Sequence, residues 1–393
     1  MDQIEEILTR RVEKILPTKE GLAKLMSQKK IRLYQGFDPS SPNLHVGHLV
    51  GLLQLKSFQD LGHEVIFLIG DFTAMIGDPT DKSATRQKLS KEQVQKNAKT
   101  YKEQAGKILR FKGDNPAQMK FNSEWLEKLK FNEVLELSSN FTIQQLIERN
   151  MFQERLKQNK PIFLHEFIYP LMVTYDALAM EVDLEVGGND QLFNMAIGRN
   201  ILKERINKDK FVLTTKLLTD SQGRKIGKTT GNAINLFGDP NDLFGQIMAL
   251  PDDTIIPAFK LTTTVPLDEI SQFESKLDND PMSLKKRLAF EVVKLCHGED
   301  RTNQAQSHFQ TTIQQGQTPD KVEEFSIKLG KHTLLEICQS AKVGKSNANI
   351  KRTITQGGVE FNGKKITDPN QEIDIKGGEV LKFGKRIFKK VKK

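Results

Sequence analysis

Residues 31–48 read IRLYQGFDPSSPNLHVGH. The first seven are apolar and β-prone, and Asp38, Pro39 and Ser40 stop them. A helical pattern runs from about Val46 to Leu61. A strand that turns through Asp-Pro into a helix is the opening unit of an α/β sheet. Working outward, EVIFLIG (64–70) predicts a second buried strand, followed by a polar loop, GDPTDKSATR (77–86). Glu92 to Phe111 has helical composition. Segments 164–180 and 190–206 predict helices that bracket a short strand, VDLEVGG, and FVLTT (211–215) predicts another. Strands alternating with helices imply an α/β fold with a mostly parallel sheet. From Asp239 to about Glu324 the pattern is helical with polar loops. Beyond Lys331, two short helical stretches precede β-like pieces set off by Gly357-Gly358, Asn362-Gly363, Asp368-Pro369 and Gly377-Gly378. Boundaries are expected near 235 and 325, giving segments 1–235, 236–325 and 326–393.

Charge is distributed unevenly over these segments. The 393 residues carry 59 Lys+Arg and 50 Asp+Glu, net +9. Residues 326–393 hold 16 basic and 6 acidic residues, and the preceding 325 hold 43 and 44. A near-neutral body with a basic C-terminal module excludes a uniformly basic nucleic-acid coat. Hydrophobic content of 37% with 28% charged fits a globular protein. The longest strongly apolar run, near Val65–Gly70, is far short of the roughly 20 residues that span a bilayer. The N-terminal MDQIEEILTRRVEKIL is charged throughout and has no signal-peptide core. Cys296 and Cys338 cannot make a disulfide framework and offer no CxxC spacing. A cytoplasmic location and no bound zinc are the expectations.

Two segments carry chemistry. His45-Val46-Gly47-His48 sits where a helix begins after a strand end, which is where ligands bind in open α/β sheets. A helix N-terminus offers N–H groups and partial positive charge to phosphate, and Gly47 allows close approach. His45 and His48 would donate to phosphate oxygens. Alone, the pattern also fits a helix cap with incidental histidines, or half of a zinc site. The zinc reading lacks a cysteine or acidic partner at ligand spacing. The second segment is GRKIGKTTGN (223–232). Its spacing is GxxxGKT, one residue short of a P-loop. What remains is a glycine-flexed loop whose Lys225 and Lys228 could close over a polyphosphate, or an ordinary solvated basic turn.

Together the two segments resemble the signature motifs of class I aminoacyl-tRNA synthetases, the second as Lys225-Ile226-Gly227-Lys228-Thr229. The resemblance narrows to bacterial-type tyrosyl-tRNA synthetases and covers essentially the whole chain. It rests on Tyr34, Gly36, Asp38 and Pro39 before the histidines, and on Asp78, Lys82 and Arg86 in the polar loop. It rests further on Tyr169 seven residues before Asp176, and on Gly187-Gly188-Asn189-Asp190-Gln191. The segment KSNANIKRTITQGGVEFNGKKITDP (345–369) resembles an S4-type RNA-binding domain. The family implies a Rossmann-like catalytic domain (1–235), an α-helical anticodon-recognition domain (236–325), a small α+β S4-like domain (326–393) and a homodimer. It implies activation of L-tyrosine by ATP, with Mg2+ accompanying the nucleotide, then transfer to tRNA(Tyr).

The same resemblance assigns residues. Tyr34, Asp78, Tyr169, Asp176 and Gln191 would bind tyrosine. Gly36, Asp38, Ser40, Gly47, Gly188 and Asp190 would bind ATP. His45, His48, Lys82, Arg86, Lys225, Lys228 and Thr229 would serve catalysis, with no metal ligands. Lys345, Asn349, Lys351 and Arg352 would contact RNA. Two departures stand out. Val173 occupies the position where the family usually has a Gln that helps hold the amino group. Ser40 and Gly51 replace hydroxyl-type ATP contacts. Tyr34 and Asp176 would reject phenylalanine because their own polar groups would be left unpaired. The tryptophanyl enzyme is the nearest rival, and a non-catalytic RNA-binding relative is the rival from another class. Trp125 is expected either in the core or at a subunit interface.

Overall fold

The computed structural model describes every residue except Met1, 78–88, 221, 224, 227–233, 315–321, 345, 385–386 and 393. It forms two compact units, Met1–Thr302 and Asn303–Lys393. Asp78, Lys82, Arg86, Lys228, Thr229 and Lys345 lie outside the described residues.

The first unit is built on a six-stranded sheet in the order β1-β6-β5-β2-β3-β4. Its strands are β1 (Val12–Leu16), β2 (Arg32–Phe37), β3 (Glu64–Ile69), β4 (Gln118–Phe121), β5 (Leu184–Gly188) and β6 (Phe211–Thr215). All neighbours run parallel except the edge strand β1, which is antiparallel to β6. The α/β class expected from sequence is therefore the observed one. Chain order runs outward from β2 through β3 to β4, then returns to the other side of β2 at β5. Ligand crevices open at such a switch, outside the carboxyl ends of the strands. β3 and β6 are buried along nearly their whole length, as a sheet covered on both faces requires.

The expected first helix is Val46–Asp60. The helix expected over Glu92–Phe111 is two shorter ones, Lys91–Ala98 and Tyr101–Ala105. At the break, Thr100 Oγ1 and Gln104 Nε2 donate to Pro42 O, and Tyr101 Oη donates to Ser41 O. Helix continuity is thus exchanged for tertiary hydrogen bonds. The helical stretch expected up to Glu324 instead ends in a strand. Pro240–Met248, Ile255–Thr262 and Pro281–His297 pack together within the first unit.

The second unit holds a five-stranded sheet ordered β10-β9-β12-β13-β7 and a two-stranded pair β11-β8. Its strands are β7 (Glu323–Phe325), β8 (Gly330–Thr333), β9 (Val359–Phe361), β10 (Lys364–Lys365), β11 (Glu372–Ile375), β12 (Val380–Phe383) and β13 (Ile387–Val391). The helices Leu334–Ser340 and Asn347–Thr355 bury Leu334, Ile337, Cys338, Ile350 and Ile354 in one core with Leu381 and Val391. Among the described residues, no helix is long and apolar enough to cross a membrane.

Candidate active site at the switch point

β2 ends at Phe37, which places Asp38 at the mouth of the crevice. Its carboxylate accepts from Tyr169 Oη at 2.9 Å and from Thr73 Oγ1 at 2.7 Å. Gly70, just after β3, makes room for it. A Cβ there would lie 1.9 Å from Asp38 Oδ1, so no other residue fits without moving the carboxylate. Gly36, next to Phe37, is exposed, and a Cβ there would only touch Leu68 Cδ2 at 4.0 Å.

The Asp-Pro loop that follows is held from outside. Asn97 Nδ2 donates to Pro39 O, and Gln104 Oε1 accepts from Leu44 N. With the bonds from Thr100, Tyr101 and Gln104 to Ser41 and Pro42, this clamp fixes the entry of the histidine helix. Tyr101 is completely buried, and burial pushes its hydroxyl up to about 12, so it stays a donor.

His45 is the N-cap of Val46–Asp60. Its Nδ1 accepts from Gly47 N, and His48 Nδ1 accepts from His45 N. A ring nitrogen that accepts a backbone proton carries none itself, so each neutral imidazole holds its proton on Nε2. The rings stack with centroids 3.8 Å apart. A Cβ on Gly47 would press against the His45 ring at 3.1 Å, which explains the glycine between them. Cap and phosphate-facing donor are therefore compatible roles for these histidines.

The helix Leu164–Ala179 brings Tyr169, Val173 and Asp176 to one face, at spacings of four and three. Asp176 is buried and accepts from Trp125 Nε1 at 2.7 Å and Asn122 Nδ2 at 3.1 Å. Asn122 also donates to Thr73 Oγ1, which joins Asp176 to Asp38 and Tyr169 in one network. Burial drives the Asp176 carboxyl well above the usual carboxylate range, Glu185 and Asp38 add to the rise, and the two hydrogen bonds oppose it. Tyr34 is buried on the facing strand, with its hydroxyl 3.5 Å from Val173 O. The Val173 side chain packs against the cluster of Leu126, Tyr169 and Met172. Burial and then the charges of Glu185 and Asp176 raise the Tyr34 hydroxyl far above its ordinary value.

Asp190 and Gln191 lie on a short 3-10 turn directly after Gly188 at the end of β5. Gln191 Oε1 accepts from Asn194 Nδ2. Lys225 Nζ reaches Asp190 at 3.0 Å, and a bridge between Thr219 and Lys225 folds the start of the basic loop back on itself. The chain just beyond that loop pairs with the histidine motif: Val46 N donates to Ile234 O and Leu236 N to Leu44 O.

In the second unit, Lys351 and Arg352 are exposed on Asn347–Thr355, and Asn349 lies near the start of that helix. Beside them runs a shallow groove of about 370 Å³ lined by Lys342, Ser346 and Asn347, among others.

Sequence reasoning missed Asn122, Thr73 and the Asn97–Gln104 clamp as parts of the site; Trp125, expected in the core or at an interface, does pack against the core, but its role toward Asp176 was not foreseen. Its indole is in fact the closest donor to Asp176. One available signal was Glu185: a carboxylate inside an apolar strand demands a partner.

The family profile described as tRNA synthetases class I (W and Y) matches residues 26–314. The Tyrosine--tRNA ligase of Aquifex aeolicus is 41% identical over 380 residues, covering 96% of this chain and 95% of its own. That of Haemophilus influenzae is 40% identical over 390 residues, covering 98% and 96%. A C-terminally truncated mitochondrial tyrosyl-tRNA synthetase from Coccidioides posadasii superimposes with TM-score 0.65 at 25% identity, over 78% of this chain and 91% of its own. The tyrosyl-tRNA synthetase of Archaeoglobus fulgidus, solved with L-tyrosine, shares the fold at TM-score 0.60 and 21% identity, over 78% and 99%.

Proposed function

The chain belongs to the class I tyrosyl-tRNA synthetases, and from that membership we propose how its own residues divide the work of charging tRNA(Tyr) with tyrosine. The observation that carries the assignment is Tyr34 and Asp176, buried on facing elements at the switch point and electrostatically coupled. A phenol hydroxyl between them finds partners on both sides. An aromatic ring without that hydroxyl would leave them unpaired. Tyr169 spends its hydroxyl proton on Asp38, so it meets the substrate ammonium as an acceptor. Gln191, and Asp78 outside the described residues, complete that end. Val173 gives only its backbone carbonyl to the site, so the ammonium relies on these acceptors.

ATP fits along the carboxyl ends of β2 and β5. Gly36, Ser40 and Gly47 flank the nucleotide, while Gly188 and Asp190 face the ribose hydroxyls. Asp38 contributes by holding Tyr169 at the boundary between the two substrates. The tyrosine carboxylate attacks the α-phosphorus, a new C–O–P link forms, and the bond to pyrophosphate breaks. The nucleophile is already ionised, so the protein supplies position and charge stabilisation rather than a base. His45 and His48 donate to the phosphates through Nε2–H. Lys225, with Lys82, Arg86, Lys228 and Thr229, holds the departing pyrophosphate. Lys225 must leave Asp190 to do so, which couples loop closure to ribose binding. Mg2+ enters on the ATP phosphates.

The basic segment 326–393 suits phosphate contacts with tRNA as an S4-like domain, through Lys345, Asn349, Lys351 and Arg352. Residues 236–325 are assigned to the anticodon stem and residues 1–235 to catalysis. A homodimer is supported by Phe131, Leu135, Ile143, Leu156, Phe163 and Leu164, large apolar side chains left exposed within one stretch of 34 residues. A cytoplasmic location accords with this role. The deciding experiment is ATP–pyrophosphate exchange. It should depend on tyrosine, whereas dependence on tryptophan, or no exchange by folded protein, would reverse the assignment.

A further inference from the structure

Two polar side chains end the backbone pairing that holds the histidine motif. His45 faces Asn235 in a short antiparallel exchange, in which Val46 N donates to Ile234 O at 2.9 Å and Leu236 N to Leu44 O at 3.0 Å. The next rung of such a ladder would be a second bond between the same two residues, from Leu44 N to Leu236 O. Each of those groups is taken by a side chain instead. Leu44 N donates to Oε1 of Gln104 at 2.8 Å, and Gln104, which is buried, donates through Nε2 to Pro42 O at 2.8 Å. Leu236 O accepts at 2.8 Å from Nε2 of His297, the last residue of the helix Pro281–His297. A carbonyl only accepts, so this imidazole carries a proton on Nε2.

That rung lies one residue from the chemistry. The carbonyl of Leu44 and the N–H of His45 belong to one peptide group, and the carbonyl of His45 and the N–H of Val46 to the next. Both groups are planar, and both are pinned, the first through Leu236 and the second through Ile234. The rings take their aim from the same backbone, since His45 N donates to His48 Nδ1 and Gly47 N to His45 Nδ1. The direction of each Nε2–H therefore follows the course of the chain from Leu44 to Gly47. A misplacement of about 1 Å at a reacting centre costs on the order of a hundredfold in rate. The tyrosine pocket is held separately, with Asp176 on Trp125 and Asn122.

We propose that Gln104 and His297 are positioning residues for the step with ATP. They end the pairing of 44–46 with 234–236 at one defined rung and so aim both imidazoles at the phosphates, while tyrosine selection stays with the Asp176 pocket. The inference rests on the tyrosine-activating reading of the site. If wild-type protein shows no tyrosine-dependent exchange, that reading fails before either residue is tested.

The test is pyrophosphate exchange by Gln104→Met, His297→Leu, the two combined, and His297→Gln. Rates are expressed per tyrosine-binding site, counted by equilibrium dialysis, so that unfolded protein does not enter them. Each apolar single variant should lower kcat about tenfold or more. KM for tyrosine, and the preference over phenylalanine, should stay within about twofold, because the interaction lost serves the transition state. His297→Gln keeps a side-chain N–H for Leu236 O and should recover most of the loss. Both residues act on one rung, so the combined variant should lose less than the product of the single losses. An unchanged kcat, a KM for tyrosine that rises as kcat falls, losses that multiply, or no gain of His297→Gln over His297→Leu would each overturn the proposal. Should Gln104→Met not fold, the two His297 variants decide alone, and equal kcat values for them would refute the idea.

Discussion

At the scale of single residues, the site carries a cost in stability that can be read by titration. Asp176 is buried among Tyr34, Asp38 and Glu185, and burial first of all holds its carboxyl well above the usual range. The folded value exceeds the unfolded one. The group's stabilising contribution is therefore complete below the unfolded pKa, about 3.9, and is lost as pH rises through the folded value. Asp176→Asn removes that titration. The Tm of the variant relative to wild type should rise from pH 4 to pH 8, by a few degrees if the destabilisation is about 1–2 kcal/mol. Any clash of its amide with Asn122 adds an offset that does not titrate. Tyrosine-dependent exchange should vanish. A Tm difference flat with pH would contradict a raised folded value. Tyr34, Tyr169 and Asp176 were legible through the resemblance to the tyrosyl family, and helix spacing put Tyr169 and Asp176 on one face. Asn122 and Trp125 were not, because their role depends on where β4 docks, and a strand as short as Gln118–Phe121 leaves little periodic signal.

At the scale of elements, the parallel core of the sheet was legible and its margins were not. After Glu64, β3 is a continuous apolar run, and β6 is buried along its whole length, as doubly covered strands are. β1 reads VEKIL, half-exposed at the edge, and resembles a helix end in sequence. It is tied in place by the adjacent Arg10 and Arg11. Arg10 donates to the carbonyls of Lys260, Thr263 and Val265, and Arg11 to those of Leu261 and Thr263. These are the carbonyls at and beyond the end of Ile255–Thr262, the ones a helix cannot satisfy by itself. Two arginines in a charged N-terminal stretch thus cap a helix 250 residues away, a relation that no local pattern announces. Arg11→Met should lower stability by about 2–4 kcal/mol, because buried carbonyls lose charged donors and keep no water. The urea midpoint measures it. An unchanged midpoint would mean that solvent or Arg10 takes over those carbonyls. Selectivity for tyrosine should be untouched, since neither arginine contacts the pocket network.

At the scale of the whole molecule, the asymmetry of charge follows the division of the fold. The near-neutral unit contains the crevice, and the excess of Lys and Arg over Asp and Glu belongs to residues 326–393. A catalytic body gains little from net charge, because its cations act at short range on phosphates already bound. A module that captures RNA gains from it directly, through counterion release. The strand β7 shows where that module begins in structural terms: it pairs with β13, so the small sheet starts ahead of residue 326. Ending the chain at Gln314 keeps the helix Glu299–His308 whole and removes every strand of the small unit. Such a truncation should retain tyrosine-dependent exchange within about twofold, because all of the described pocket residues remain. Its aminoacylation of tRNA should fall sharply at moderate salt and recover in part at low salt or high tRNA concentration. In the full chain, the logarithm of 1/KM for tRNA should decline linearly with the logarithm of salt. The truncation should make that slope shallower by roughly 0.7–0.9 for each RNA phosphate it no longer neutralises. Equal slopes for the two proteins would detach the basic segment from RNA binding. Loss of exchange as well would show that the first unit does not stand alone. The salt slope separates these outcomes because only the RNA-binding surface, and not the pocket, releases counterions from a polyanion.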